Sequence, residues 1–321
     1  MRNISTTLIL FLVLFFSWSV YAGGGITHMF IAEESIPLIF DTKLRHVLED
    51  NKEAYLVGAH YPDSGYVPGT GYGEDSHWDT FIFTFAEYIK EKYHNPVLEN
   101  PKLVAFLMGC ATHRVSDEII HSIFYPHVAA NDFSDNYDKA HRYGDVGIDL
   151  LLNIDKGRWR HHPDVWWVPV ADLLEVYHRM GKDQYTADQI ILGNSVLNMA
   201  GYLERAITIQ SYPYLRLRMP WTAKHYYDWP EGGMLMDIKQ VAEYQNNLWQ
   251  RLTEAKTKPL NKSTTPSHSD HESALMTSAK QVLENHIATM DVKHNADGSV
   301  ELQPPVIMDQ NRFMRYALVL E

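Results

Sequence analysis

One cysteine, Cys110, is all the chain possesses, so no disulfide can form within it, even in an oxidising compartment. Positive charge is also scarce: 28 Lys and Arg stand against 40 Asp and Glu, a net charge of −12. A protein that reads nucleic acid shows a basic stripe to neutralise phosphates, and none is visible here. Past the first two dozen residues there is no apolar run of the length, about 20 residues, that crosses a bilayer. Internal repeats are absent, as are a serine elbow and a reactive-cysteine motif. Chemistry by a nucleophilic side chain is therefore not what the sequence advertises.

What the chain does have is apolar residues for a sizeable core (45%) and 17 histidines in 321 residues. Its start has the form of a secretory signal. Arg2 supplies the positive end, Leu8 to Phe16 the apolar stretch, and Val20-Tyr21-Ala22 the small residues a signal peptidase cuts after. We expect residues 1–22 to be removed, Gly23 to become the first residue, and the protein to be secreted or periplasmic.

Residues 23–255 read as one mainly α, multi-helix domain, with all the chemistry within 23–155. The spacing of Phe81, Phe85, Tyr88 and Ile89 predicts a helix over Thr80 to Tyr93. A second, buried helix is expected over Lys102 to Phe124, opening after Pro101. Tyr61 to Gly73, with two prolines and four glycines, should be irregular. Helical patterns continue from Trp166 to about Leu203 with breaks at Gly181 and Gly193. Ser211 to Gly233, rich in aromatics and proline, suggests an ordered loop or short strands. A polar linker is expected over 256–275, with Lys, Ser, Thr and Pro clustered from Thr257 to Asp270. In 276–321 a helix is expected around Ser278 to Met290. A small β element follows, Ser299 to Met308 and Phe313 to Leu320, with Asp297-Gly298 as a turn before it.

The chemistry concentrates in His113-x3-Asp117-x3-His121. Steps of four advance about 40° around a helix, so the three side chains share one stripe about 80° wide. A lone buried histidine is ordinarily a satisfied core residue. Three ligand-type side chains on one stripe of an apolar helix are different, because buried charge without a partner is costly. His141-x3-Asp145 repeats the spacing, with Asp149 one turn further on. Asp63 in the glycine-rich loop, His77 in Ser76-His77-Trp78, and His28 near the expected mature terminus carry no signal singly. Their order and spacing together do.

Taken together, these pieces resemble the zinc-dependent phospholipase C family, and within it the catalytic domain of the glycosylphosphatidylinositol-specific phospholipases D. The matching segments are Thr27-His28, Gly58-Ala-His-Tyr-Pro62-Asp63, Ser76-His77-Trp78, Leu103 to Gly109, His113-x3-Asp117-x3-His121-Ser122 and Ala140-His141-x3-Asp145. They cover roughly residues 23–155. The resemblance implies an all-helical domain holding three zinc ions. Asp63, His77, His113 and Asp117 would hold the first, and His121, His141 and Asp145 the second. His28 and Asp117 would hold the third with the amine and carbonyl of Gly23. In the bacterial phospholipases the Asp-to-His spacing on the helix is longer and the second-site carboxylate is Glu; both differences point away from enzymes of free phosphatidylcholine.

A donor set of imidazole and carboxylate favours zinc over magnesium or calcium. Zinc brings the pKa of a bound water to about 7, which supplies a hydroxide for attack on phosphorus. Asp63 is the candidate to orient or deprotonate that water. The expected substrate is a phospholipid or glycosylphosphatidylinositol-like phosphodiester, met at a membrane surface transiently; nucleic acid is not expected as a partner. Two other readings stand beside this one: a single-strand nuclease of related zinc architecture, and a non-catalytic module stabilised by zinc. Cys110 is expected to be a small buried residue and Asp149 to support a metal-bound histidine. His161-His162 and Trp166-Trp167 could touch lipid, but an aromatic cluster in a helical protein is more often core, and Trp78 is read as core for the same reason.

Overall fold

The computed structural model describes residues 24–160, 165–254 and 292–302. Among them are thirteen helices and one three-stranded sheet. Eleven helices are labelled here: α1 Gly25–Ser35, α2 Thr42–Asp50, α3 Lys52–His60, α4 Asp79–Lys92, α5 Pro101–Ile119, α6 Tyr125–Asp132, α7 Tyr137–Asp155, α8 Val170–Arg179, α9 Ala187–Arg218, α10 Pro220–His225 and α11 Met234–Thr253. Single turns at Gly73–Ser76 and Pro96–Glu99 complete the set. The mainly α expectation holds. None of the described helices is long and apolar enough to cross a membrane.

The centre of the molecule is the crossing of α3 and α5. Gly58 and Gly109 let the two backbones touch: a Cβ at Gly58 would lie 2.1 Å from the Phe106 carbonyl, and one at Gly109 would lie 2.1 Å from that of Tyr55. α5 starts as the sequence predicts. The Asn100 side chain accepts from the Leu103 amide (3.1 Å), and Pro101 sits where a helix needs no N–H donor. Leu103 to Thr112 are all buried. α11 packs its apolar side against α5, and Gln245 donates to Tyr55 Oη, Met108 O and Thr112 Oγ1 in the seam.

α5 does not end as a regular helix. Ile120–Phe124 forms a π-helical turn that runs into α6. Such turns are wider, change where side chains point and occur often at functional sites. α7 opens on the Asn136 cap, with Ser134 and Asp135 both at positive φ in the approach to it.

Several expectations need correction. The loop from Tyr61 begins with a 3-10 helix, Tyr61–Tyr66. Gly193 does not interrupt its helix: α9 runs through it, and the missing side chain leaves room for the Ser64 carbonyl, which a Cβ would meet at 2.2 Å. Gly181, at φ +74°, does mark an end, just past α8. Ser211 to Gly233 is not a loop or strands but the last part of α9, then α10 and a turn. Pro213 is tolerated because it lies on the exposed side, while Thr208, Leu215 and Met219 bury the other.

The sheet pairs β1 Trp167–Val168, β2 Val292–His294 and β3 Val300–Leu302 in the order β1-β3-β2, all antiparallel. β3 falls within the strand expected from Ser299, and Gly298 (φ +80°) makes the expected turn. The partners of β3 are strands before that turn. The expected signal segment, Gly23, His161-His162, the polar linker, the helix around Ser278 to Met290 and the strand Phe313 to Leu320 all lie outside the described residues.

Candidate metal centre

Six elements bring the eight predicted side chains into one region. His28 comes from α1, Asp63 from the 3-10 turn after α3, and His77 from the turn before α4. His113 and Asp117 come from α5, His121 from the π-helical turn, and His141 and Asp145 from α7. The side chains form three groups, in each of which the ligand atoms lie within 4.8 Å of one another: His77, His113 and Asp117; His28, Asp63 and His113; and His121, His141 and Asp145.

Hydrogen bonds behind the rings set which nitrogen faces inward. His77 Nδ1 is 2.6 Å from the Gly73 carbonyl and His113 Nδ1 is 3.0 Å from that of Ala59. A carbonyl can only accept, so each Nδ1 carries a hydrogen, and each ring in its neutral form turns an Nε2 lone pair inward. Those two Nε2 atoms face each other at 3.0 Å. Two lone pairs so placed repel unless a cation lies beside both, and this is how metal-binding histidines are oriented. Asp63 Oδ1 is 3.4 Å from His77 Nε2 and 3.6 Å from His113 Nε2, and its Oδ2 is buried with no hydrogen-bond partner among the described residues. His28 Nδ1 contacts Ser116 Oγ (2.7 Å), which turns Nε2 toward Asp117 Oδ1 at 3.9 Å. The donor set and its orientation fit zinc.

The electrostatics differ from ring to ring: burial acts to lower the His77 pKa, but its hydrogen bond to Asp63 and the charges of Asp117 and Asp63 outweigh it and raise it. Burial pushes His28 down to about 4 and His113 well below the ordinary imidazole range, keeping both neutral as ligands must be. Burial raises Asp63 to about 7. For Asp117, burial acts to raise the pKa, but the surrounding histidines, His121 foremost, outweigh it and hold the carboxyl well below its usual range.

In the third group the His121 and His141 rings lie 4.6 Å apart, and His141 Nδ1 is 3.4 Å from Asp145 Oδ2. Tyr125, fully buried over Gly144, donates its hydroxyl to Asp145 Oδ1. The sequence reading missed Tyr125, four residues after His121, and Tyr137, four before His141; the helical repeat that found the ligands also places these. Tyr137 and Tyr66 are partly exposed and border the cluster, their rings 6.2 Å from His141 and 4.8 Å from His77.

Two supporting residues differ from expectation. Asp149 does not reach a histidine. It accepts from the amides of Ile26 (2.9 Å) and Thr27 (2.8 Å) and from the Thr27 hydroxyl, capping α1. Trp78 is half-buried rather than core, because its indole donates to Glu74 at 2.8 Å and Arg114 lies over the ring. Cys110 is fully buried, and Trp167 is core while Trp166 is half-buried. Gly23 cannot be placed against the cluster, since it lies outside the described residues.

Phosphatidylinositol-glycan-specific phospholipase D of Rattus norvegicus is 28% identical over 262 residues, 76% of this chain and 30% of its own length. The protein of that name from Homo sapiens is 29% identical over 203 residues, 59% of this chain and 24% of its own. That of Dictyostelium discoideum is 28% identical over 198 residues, 58% and 21% respectively. The chain thus spans less than a third of the length of these curated relatives. No solved structure gives a significant match. Residues 27–203, more than half of the chain, match the family described as zinc dependent phospholipase C, and the chain belongs to that family.

Proposed function

We propose that this chain is an exported zinc-dependent phosphodiesterase that hydrolyses a phospholipid or glycosylphosphatidylinositol-like substrate. The observation that carries the reading is the pair of inward Nε2 atoms of His77 and His113, 3.0 Å apart beside Asp63 and Asp117. Asp63, His77, His113 and Asp117 would hold one ion, His121, His141 and Asp145 a second, and His28 with Asp117 and the Gly23 terminus a third. Bound zinc would supply an activated water at neutral pH and charge neutralisation for a phosphoryl group.

The residues around the cluster account for the rest. Asp63 turns Oδ1 toward the histidines and leaves Oδ2 unpartnered, in position to accept a proton from water. Tyr125 restrains Asp145 from behind.

The test is zinc analysis of the protein beginning at Gly23, joined to mass spectrometry of products from mixed phospholipids and from single-stranded DNA. We expect bound zinc, phosphodiester cleavage of lipid and loss of both with a chelator. Zinc without cleavage of either substrate would make the cluster structural; cleavage of DNA alone would make the chain a nuclease.

A further inference from the structure

The second half of α9 is apolar on two sides. Thr208 and Leu215 are buried and at 100° per residue fall within about 20° of one another, and Met219, just past the helix end, is buried too. On the other side Ile209, Tyr214 and Leu217 are 51%, 55% and 83% exposed, with Pro213 exposed between them. A surface helix needs only one apolar side to hold it to its fold. The outer one is unaccounted for.

Its edges are cationic. Measured from Ile209, Arg216 lies at about −20° and Arg218 at about 180°, so the two arginines flank the exposed apolar arc. Lys224 is exposed on α10 just beyond. In a chain of net charge −12, residues 205–227 contain four Lys and Arg and no Asp or Glu. Among the described residues, none of Arg216, Arg218 and Lys224 has a carboxylate within ion-pair distance, although Arg114, Arg158 and Arg179 each do. Arg218 instead covers Phe133 and Tyr143, centroids 4.6 and 5.2 Å away, and Tyr143 is two residues from His141.

From this arrangement we infer that the outer side of α9, from Ile209 to Leu217, docks on a lipid bilayer bearing anionic headgroups. Aliphatic and tyrosine side chains projecting from a helix, edged by arginines that hold aromatic partners (Arg216 donates to Tyr212 Oη at 2.9 Å) but no carboxylate among the described residues, match an interface where acyl chains meet phosphates. A nucleic acid would meet the arginines but offers nothing to Ile209 and Leu217. The inference deepens the proposed function, on which it rests for its purpose: docking here would hold the face next to α7, with His141 and Asp145, near membrane-held substrate.

The experiment uses the full chain from Gly23 and two readouts. The first is co-sedimentation with vesicles of phosphatidylcholine, alone or mixed with phosphatidylserine. The second is turnover of a soluble short-chain phosphodiester. We expect binding to the mixed vesicles that weakens with salt. Replacing both Ile209 and Leu217 by Ser should weaken it about tenfold, and Arg216→Gln with Lys224→Gln about fivefold per charge. All four positions are exposed, and turnover of the soluble substrate should not change. Equal vesicle binding by wild type and the Ser variant, or by neither, overturns the docking surface, as does vesicle-competed binding of single-stranded DNA through the same residues. Ridge-dependent vesicle binding with no phosphodiester turnover would keep the surface and refute the hydrolase reading instead.

Discussion

Asp117 Oδ1 sits 3.0 Å from His121 Nε2, one turn along the same helix. Burial disfavours the His121 imidazolium, but the Asp117 carboxylate more than compensates and raises its pKa to about 9 in the metal-free protein. A group whose folded pKa exceeds its unfolded value stabilises the fold fully below the unfolded pKa and stops doing so above the folded one. The apo-protein should therefore lose thermal stability as pH rises from about 6.5 to about 9. Asp63, raised from 3.8 to about 7 by burial, makes a separate contribution that is lost between those two values, largely below the His121 window. Thermal melts of chelated protein across this range check it, and His121→Gln should flatten the upper part. Zinc requires neutral imidazole, so its uptake at pH 7.5 should release protons, measurable by calorimetry in buffers of different ionisation enthalpy.

The two central carboxylates should differ in what they control. Asp117 lies within 4 Å of His28, His113 and His121, so Asp117→Asn should lower zinc content and turnover together. Asp63→Asn should cost about 10²–10⁴-fold in turnover, the range for a general base, with a smaller loss of zinc. Metal analysis beside steady-state rates tests this. Small, equal effects from both variants would remove these roles.

A third prediction concerns the α3–α5 crossing. Gly109→Ala would push a methyl against the Tyr55 carbonyl, and backbone cannot step aside cheaply. We expect a loss of about 1–3 kcal/mol or more in denaturant unfolding, with weaker zinc retention because α3 leads directly to Asp63. Gly25→Ala, whose Cβ would find its nearest neighbour at 4.0 Å, should leave stability nearly unchanged.

The N-terminus supplies a fourth. Gly24 lies beside the His28 ring: a Cβ there would be 3.6 Å from Nε2. A free α-amine on Gly23 has an ordinary pKa of about 7.7–8.0 and can yield its proton to a metal, whereas an amide cannot bind in that way. Protein starting at Gly23 should therefore hold about one more zinc than a form with two or three extra residues, and be the more active. Full zinc and full turnover in the extended form would show that the terminus is no ligand.

Much of this centre was legible before any coordinates. His113, Asp117 and His121, and likewise His141 and Asp145, declare themselves because helical spacing projects them together. His28, Asp63 and His77 do not, since their meeting depends on how separate segments pack, and only the family resemblance put them in one set. Composition misled where packing decides. Gly193 and Pro213 read as breakers, yet one is needed for close approach to Ser64 and the other projects outward. Asp149 repeats the ligand spacing, but the α1 amides reach it first.

That last contact orders events in time. The bonds from Ile26 and Thr27 to Asp149 join points 123 and 122 residues apart in the chain. Contacts so distant in sequence form late, after the loop between them has been closed. The start of α1, and His28 with it, has no capping partner until α7 has been synthesised and has docked. An emerging chain can present the His113 stripe early, but its first histidine reaches the cluster only when nearly half of the polypeptide has been made.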